Sequence, residues 1–351
     1  MNYLSVCSGV EAASLAWEPL GWHPQAFSEV APFPSAVLAE RWPNVPNMGD
    51  MTQIDAEDYL ARYGRPDVIV GGTPCQSFSV SGLRGGLDDA RGNLTLAFLR
   101  LARALRPRWL VWENVPGVLH HDHGRTFGVI LGAMGQLGFQ WAYRVLDAQY
   151  FGVAQRRRRV FVVGYLGSGG HGPGAVLFER SSLRGDLAPR RKEGARVAST
   201  TTSGASRLDD NEVGRPVVFD PTQITHHENR SNPQPGGPCH TLPAAGHAPM
   251  AVWMPADVAD PITANEGRTY THEGKNFRLH NVVGARPRRL TPEECERLQG
   301  MPEGHTRIPW RGKPASDCPD GHRYRAIGNS MAVPVMRWLG ERIALVDSAL
   351  A

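Results

Sequence analysis

Cysteine is scarce in this chain: five in 351 residues (Cys7, Cys75, Cys239, Cys295, Cys318), widely spaced and without a C-x-x-C pair. That pattern argues against a disulfide framework and a zinc ribbon, and free thiols are expected. Long apolar runs are also missing. None approaches the roughly 20 residues that span a bilayer, and the opening Met1 to Cys7 lacks a charged-then-apolar leader. A soluble cytoplasmic protein with no membrane partner is expected. Charge of one sign is short too, since a formal net charge of +4 is too small to identify a polyanion partner by itself. The basic residues are nevertheless clustered, at Arg156 to Arg159, at Arg190, Arg191 and Lys192, and at Arg286, Arg288 and Arg289. Taken singly, each cluster reads as a solvated surface.

An apolar fraction of 41% suffices for a core, and the length allows two domains or one large α/β domain with an inserted module. From Met1 to about Tyr165, short apolar runs alternate with helix-period segments, the pattern of βαβ units and a mostly parallel sheet. Tyr3 to Val6 reads as a first strand and Val10 to Trp17 as the helix after it. Ala26 to Ser28 is a second strand ending at Glu29, and a third ends near Gly72. Leu94, Phe98, Leu101, Ala102 and Leu105 recur at helical spacing until Pro107 stops them. The runs from Trp141 and from Val160 form a late pair of strands. This half has a Rossmann-like plan.

Between about Gly167 and Ala285 the composition shifts to Gly, Pro, Ser, Thr, Asn and His. This is either disordered linker or a loop-rich module. Short β-like pieces at Pro216 to Phe219, Ala251 to Met254 and Asn281 to Val283 favour a small, irregular β module. Regular structure returns at Thr291, Pro292 and Glu294, where an N-cap, a first-turn proline and a capping-box glutamate start a helix that Gly300 closes. A last helix starts at Pro334. Its face of Val335, Trp338, Leu339 and Val346 is fit to pack on the first domain.

Two strand ends carry chemistry. The run Asp67 to Thr73 leads into Pro74-Cys75, and Trp109 to Trp112 ends directly in Glu113-Asn114. In open α/β sheets ligands bind at the carboxyl ends of strands, so a thiol and a carboxyl face one cleft. A thiolate is the best side-chain nucleophile, and a buried carboxyl stays protonated near neutral pH. The pairing reads as covalent catalysis of attack on an electron-poor ring.

In chain order, Ser5-Val6-Cys7-Ser8-Gly9-Val10-Glu11-Ala12, Phe27-Ser28-Glu29, Gly49-Asp50-Met51, Gly72-Thr73-Pro74-Cys75-Gln76, Glu113-Asn114-Val115, Gln155 to Arg159, Arg289 to Glu293 and Gly328-Asn329-Ser330 form a known series. It resembles the DNA cytosine-5 methyltransferases, with a first motif similar to phage and prophage members. The resemblance implies an α/β fold. A Rossmann-like S-adenosylmethionine-dependent methyltransferase sheet would carry a second, smaller, loop-rich β target-recognition domain. It places the catalytic, cofactor-binding domain at 1–170 and 325–351 and the target-recognition domain at 171–324, the returning segment 286–302 included. It implies methyl transfer from S-adenosylmethionine to carbon 5 of a flipped cytosine in specific double-stranded DNA sites, in restriction-modification or phage DNA protection. A monomer that needs no cognate restriction endonuclease for activity is expected.

Residue by residue, the resemblance implies that Cys75 adds to carbon 6 and Glu113 protonates ring nitrogen 3, with Asn114, Gln155, Arg157 and Arg159 completing the catalytic set. Strand alternation puts Gln155, Arg157 and Arg159 on one face. It assigns Glu29 to the ribose and Asp50 to the adenine amino group of the cofactor, with Cys7, Ser8, Gly9, Val10, Val30, Met51, Pro74, Leu94, Asn329 and Ser330 around it. Ser79, Ser81 and Arg91 would hold phosphates, and Thr241 and Leu242 would read bases, in competition with Ile262-Thr263. The chain departs from the pattern where Cys7 replaces an aromatic residue, Glu11 and Ala12 replace glycines, and Val30 stands where some relatives carry tryptophan. Weaker stacking on adenine is expected there.

Other readings fit less well. His120, His121, Asp122 and His123 are adjacent in a loop and lack ligand spacing, so no metal is expected. The large variable module argues against a tRNA cytosine methyltransferase. Amino-group methylation calls for an Asp/Asn-Pro-Pro-aromatic motif where Gly72-Thr73-Pro74-Cys75 stands. Intact Cys75, Glu113 and Arg157 argue against a catalytically dead DNA-binding protein.

Overall fold

The computed structural model describes residues 1–74, 94–168, 172–178, 216–219, 250–253 and 288–350. Its centre is a six-stranded sheet in the order β2-β1-β3-β4-β6-β5, built from β1 (Asn2–Val6), β2 (His23–Ser28), β3 (Val68–Gly71), β4 (Trp109–Asn114), β5 (Gln140–Asp147) and β6 (Arg158–Tyr165). The first four pair in parallel, and β6 runs antiparallel between β4 and β5. Strands covered on both faces read as near-continuous apolar runs, as β3 and β4 do. Period-2 alternation then divides their side chains between two cores. Tyr3, Val68, Val70, Trp109, Val111, Phe161 and Val163 enter one core, while Leu4, Val6, Ile69, Leu110, Trp112, Val160 and Val162 enter the other.

Helices cover both faces. On the first lie α1 (Ala12–Trp17) and α2 (Pro32–Arg41). The second is covered by α3 (Ala56–Tyr63), α4 (Leu94–Leu105) and α5 (Arg125–Gln136). A short α6 (Gly172–Leu177) follows the sheet. After it come α7 (Pro292–Gln299), α8 (Asp320–Asn329) and the long α9 (Val333–Leu350). The α9 helix packs on α1 as its apolar face leads one to expect. Trp17 Nε1 donates to the Met336 carbonyl at 2.7 Å, and Gly340 lets the helices close, since a Cβ there would lie 2.5 Å from Trp17 Cδ1.

The expected α/β plan is present, with differences that have physical causes. The first helix starts at Ala12, not Val10. Glu11 is left-handed (φ 62°) and caps the helix with its own carboxylate, which accepts from the Ser14 N–H. The capping box at Thr291 and Glu294 forms as its spacing predicts, and Gly300 ends α7 in the left-handed region. A second, antiparallel sheet joins β7 (Pro216–Phe219), β8 (Met250–Trp253) and β9 (Arg288–Arg289). The piece at Asn281 to Val283 lies outside the described residues. No described helix is long and apolar enough to cross a membrane. Among the described residues no cluster of His, Cys, Asp and Glu is placed to hold a metal ion.

Candidate active site

The carboxyl ends of β1, β2, β3 and β4 share one rim, and the antiparallel β6 brings its amino end there. In register, Glu113 lies opposite Phe161 and Asn114 opposite Val160. The arginine run just before Val160 therefore arrives beside the acid at the end of β4. Burial alternates along it into the start of β6: Gln155 and Arg157 are buried, Arg159 is mostly so, and Arg156 and Arg158 are exposed.

Glu113 is 9% exposed, and its Oε1 lies 3.1 Å from Arg159 Nε. Burial holds its carboxyl above the usual range, against the opposing charges of Arg159 and Arg157. Gly72, just past the end of β3, lies against it, where a Cβ would sit 3.0 Å from Glu113 Oε2. Arg157 donates from Nη2 to the Ser330 carbonyl at 2.6 Å, and Gln299 fixes the same turn by donating to the Ile327 carbonyl at 2.9 Å. Among the described residues, Arg157 Nε and Nη1 and both amide atoms of Gln155 are buried without a hydrogen-bond partner. Burial first, and then Arg159, lower the Arg157 pKa to about 9, which leaves it charged at neutral pH. A protonatable acid beside unspent donors suits a polar, planar ligand.

Thr73 anchors the chain two residues before Cys75. Asn114 Nδ2 donates to its carbonyl at 3.0 Å and Trp112 Nε1 to its hydroxyl at 2.8 Å, while that hydroxyl pairs with Thr95 Oγ1 at 2.7 Å. All four side chains are buried. Thr73 belongs to the Gly72 to Gln76 motif but is given no role of its own there, and Trp112 does not stand out in the sequence, because a core tryptophan carries no motif. Cys75, Ser79, Ser81, Arg91, Thr241 and Leu242, with the competing Ile262-Thr263, lie outside the described residues.

At the other end of the rim, the turn after β1 carries left-handed residues at Cys7 (φ 50°), Gly9 (φ 59°) and Glu11 (φ 62°). Glu29 closes it: Oε2 accepts from the Gly9 N–H at 2.8 Å and Oε1 from the Ala31 N–H at 2.7 Å. Ser8 N–H donates to the Ser28 carbonyl at 3.2 Å, and the Asp50 carboxylate accepts from Thr52 N–H at 2.9 Å. Burial, then the charges of Glu29 and Asp50, push the Cys7 thiol up to about 12, so Cys7 is a neutral neighbour of both acids. Val10 is fully buried and Met51 nearly so, whereas Val30 is 68% exposed. Leu94 is half-buried, and Pro74 and Asn329 are exposed. The buried Ser330 next to Asn329 links the two halves of the rim through its carbonyl.

The donor set at this turn fits S-adenosylmethionine. Glu29 spends one lone pair of each oxygen on backbone, which leaves acceptors for hydroxyl groups, and exposed Asp50 offers another acceptor for an amino group. At Gly9 a Cβ would meet nothing within 4 Å, so the backbone stands open to a ligand. Glu11 is the residue whose role sequence reasoning missed. Its fully buried carboxyl accepts from Ser5 Oγ at 2.8 Å and Ser14 N–H at 3.0 Å, locking the turn from beneath. A carboxylate directly before an apolar helix start was the available signal.

Residues 1–345 match the model of the C-5 cytosine-specific DNA methylases. A protein of Escherichia phage P1 named DNA N-6-adenine-methyltransferase is 37% identical over 459 aligned positions, covering 97% of this chain. This chain spans only 61% of that relative's length. The type II methyltransferase M2.BsuMI of Bacillus subtilis (strain 168) is 27% identical over 98% of this chain and 75% of its own. Among solved structures, a DNA modification methyltransferase described as putative and encoded within an Escherichia coli prophage superposes with a TM-score of 0.62 at 18% identity, covering 99% of both chains. The S. pombe Dnmt2 methyltransferase does so with a TM-score of 0.63 at 16% identity, over 100% of this chain and 99% of that one. At these identities the structural likeness shows the fold alone.

Proposed function

The chain belongs to the C-5 cytosine-specific DNA methylase family, and from that membership we propose that it methylates carbon 5 of a cytosine flipped out of double-stranded DNA, through a covalent adduct of Cys75. The observation that carries this reading is Glu113: a buried carboxyl biased toward its protonated form, paired with Arg159 and one strand from the Thr73-Pro74 lead into Cys75.

Carbon 5 of cytosine is a poor nucleophile, and its ring is shielded within the duplex until the base leaves the stack. Addition of the Cys75 thiolate at carbon 6 makes an enamine whose carbon 5 is nucleophilic. Glu113 delivers its proton to ring nitrogen 3 as that bond forms, so the added electron pair does not remain as charge on the ring. Once carbon 5 is alkylated it loses its proton to a base, the sulfur leaves carbon 6, and nitrogen 3 returns its proton to Glu113. Arg157 and Arg159 supply the positive field that favours the thiolate and accommodates the ionised acid. Asn114 and Trp112 hold Thr73, and through it the approach of the following residues.

Glu29 and Asp50 would hold the ribose and adenine of S-adenosylmethionine, with Cys7 to Val10, Val30, Met51, Pro74, Leu94, Asn329 and Ser330 lining the site. When bound, this cofactor supplies an electron-poor methyl group. Ser79, Ser81 and Arg91 are assigned to phosphates, and Thr241 and Leu242 to base reading. Residues 1–170 and 325–351 are assigned to catalysis and 171–324 to target recognition. We assign double-stranded DNA as substrate of a cytoplasmic monomer that acts without a partner endonuclease, in restriction-modification or phage DNA protection.

The name of the phage P1 relative raises adenine N6 methylation as the second reading. Nucleoside mass spectrometry of DNA from cells expressing the protein separates the two, since 5-methylcytosine is expected and N6-methyladenine alone would overturn the proposal. A 5-fluorocytosine duplex with S-adenosylmethionine should trap a denaturation-resistant adduct with the wild type and none with Cys75→Ala.

A further inference from the structure

His305 lies far from every motif in the sequence, yet it touches the turn after β1. Its ring is 4% exposed, and Nε2 sits 2.7 Å from the Val10 carbonyl oxygen. A carbonyl only accepts, so Nε2 carries the hydrogen and donates it. Burial, with the nearby charge of Arg41, holds the His305 pKa below its ordinary value against the pull of the Val10 bond and Glu296, which favours the neutral ring at neutral pH.

The loop that presents this ring is tied from two sides. The fully buried Glu296 accepts from the Gly304 N–H at 2.6 Å and from the Thr306 N–H at 2.8 Å. From α2, Arg41 donates to the carbonyls of Gly304 at 2.6 Å and His305 at 2.9 Å. The imidazole also meets the Trp42 ring edge-on, with centroids 5.8 Å apart. A side chain held this firmly delivers its donor to one place.

That place is a strained one. Val10 stands between left-handed Gly9 and left-handed Glu11, three residues after left-handed Cys7. Sparsely populated backbone conformations persist only where their surroundings over-determine them. Glu29 holds the Gly9 N–H, Glu11 grips Ser5 and Ser14, and the Val10 carbonyl between them is left to His305.

We propose that His305 is a positioning residue for the cofactor turn, its Nε2–H holding the Val10 carbonyl so that Gly9 to Glu11 keep the shape that receives S-adenosylmethionine. The proposal rests on reading that turn as the cofactor site.

The test compares the full-length wild type with His305→Phe, which removes the donor, His305→Gln, whose amide nitrogen reaches the same distance, and His305→Asn, whose amide falls short. Calorimetric titration with S-adenosylmethionine should show binding weakened about tenfold in the Phe and Asn variants, the change that loss of one hydrogen bond brings, and restored to within about threefold by Gln. Turnover at saturating cofactor should stay within about twofold of wild type, because the reacting groups are untouched. Amide hydrogen exchange without cofactor should quicken at residues 8–12 in the Phe and Asn variants only. Wild-type affinity in Phe, or a Gln variant as impaired as Phe with the same exchange, would overturn the role. A wild type that binds no S-adenosylmethionine would instead overturn the cofactor reading, and the exchange comparison would still decide whether His305 holds the turn.

Discussion

Glu11→Gln should flatten the dependence of stability on pH. The Glu11 carboxyl is fully buried against Ser5 and Ser14, and burial raises its pKa from 4.5 to about 7. The unfolded chain gives up this proton first. The folded state therefore binds more protons between those two values, and stability falls as pH rises through them. A gap of about 2.5 pH units, at about 1.4 kcal/mol each, makes the loss from this one group about 3 kcal/mol between pH 4.5 and pH 8. Glutamine has no charge to desolvate, still accepts from the Ser14 N–H, and turns its NH2 toward a Ser5 hydroxyl that can accept. The variant should therefore match the wild type near pH 5 and exceed it at pH 8. Urea unfolding at half-unit steps reads the difference as about 1 M in the midpoint, for a slope of about 3 kcal/mol per molar. Glu113, raised in the same direction, and His305, lowered, act alike in both proteins and cancel in the comparison. Parallel curves for the two proteins would show that Glu11 titrates normally, and that the turn after β1 is not held by a protonated carboxyl.

Glu113→Gln should bind duplex DNA as the wild type does in gel-shift titrations while methyl transfer falls about 10²- to 10⁴-fold, and equal transfer rates would remove Glu113 from the mechanism. Trp112→Phe keeps the ring in its core but deletes the N–H to Thr73. About 1 kcal/mol of stability should be lost, with slower capture of a 5-fluorocytosine duplex by Cys75; an unchanged capture rate would mean that Thr73 does not steer the nucleophile. Gly340→Ala places a methyl 2.5 Å from Trp17 Cδ1 at the α1–α9 contact. A destabilisation of about 1–3 kcal/mol should appear in denaturant melts, and an unshifted melt would show that the helices can part there without cost.

Much of the sheet was legible because its strands are buried on both sides. Runs such as Val68 to Gly71 and Trp109 to Asn114 are apolar without interruption, and the acids that follow β2 and end β4 mark where each strand reaches the rim. The capping box at Thr291 was legible because its partners are three residues apart, and local geometry alone forms it. The start of α1 was misplaced by two residues because the left-handed backbone of Glu11 is set by a buried carboxylate, which no pattern of apolar spacing reveals. Helices α2, α3 and α5 were passed over. The signal was present in α5, whose Phe127, Ile130, Leu131 and Met134 stand at helical spacing.

By itself, the order of residues determined which groups stand near strand ends: an acid closing the run from Trp109, a run of arginines before Val160 with alternate members on one face, and acids after the early strands. Those follow from covalent sequence and from two- and 3.6-residue periods, which act over a few residues. Only the folded molecule decided who meets whom. The reversal of β6 brings Arg159 to 3.1 Å from Glu113, the return of the chain after β9 sets Ser330 against Arg157, and a loop 295 residues away delivers His305 to Val10. Contacts of that span arise from the packing of whole elements, where a hydrogen bond forms between groups that no local pattern had paired.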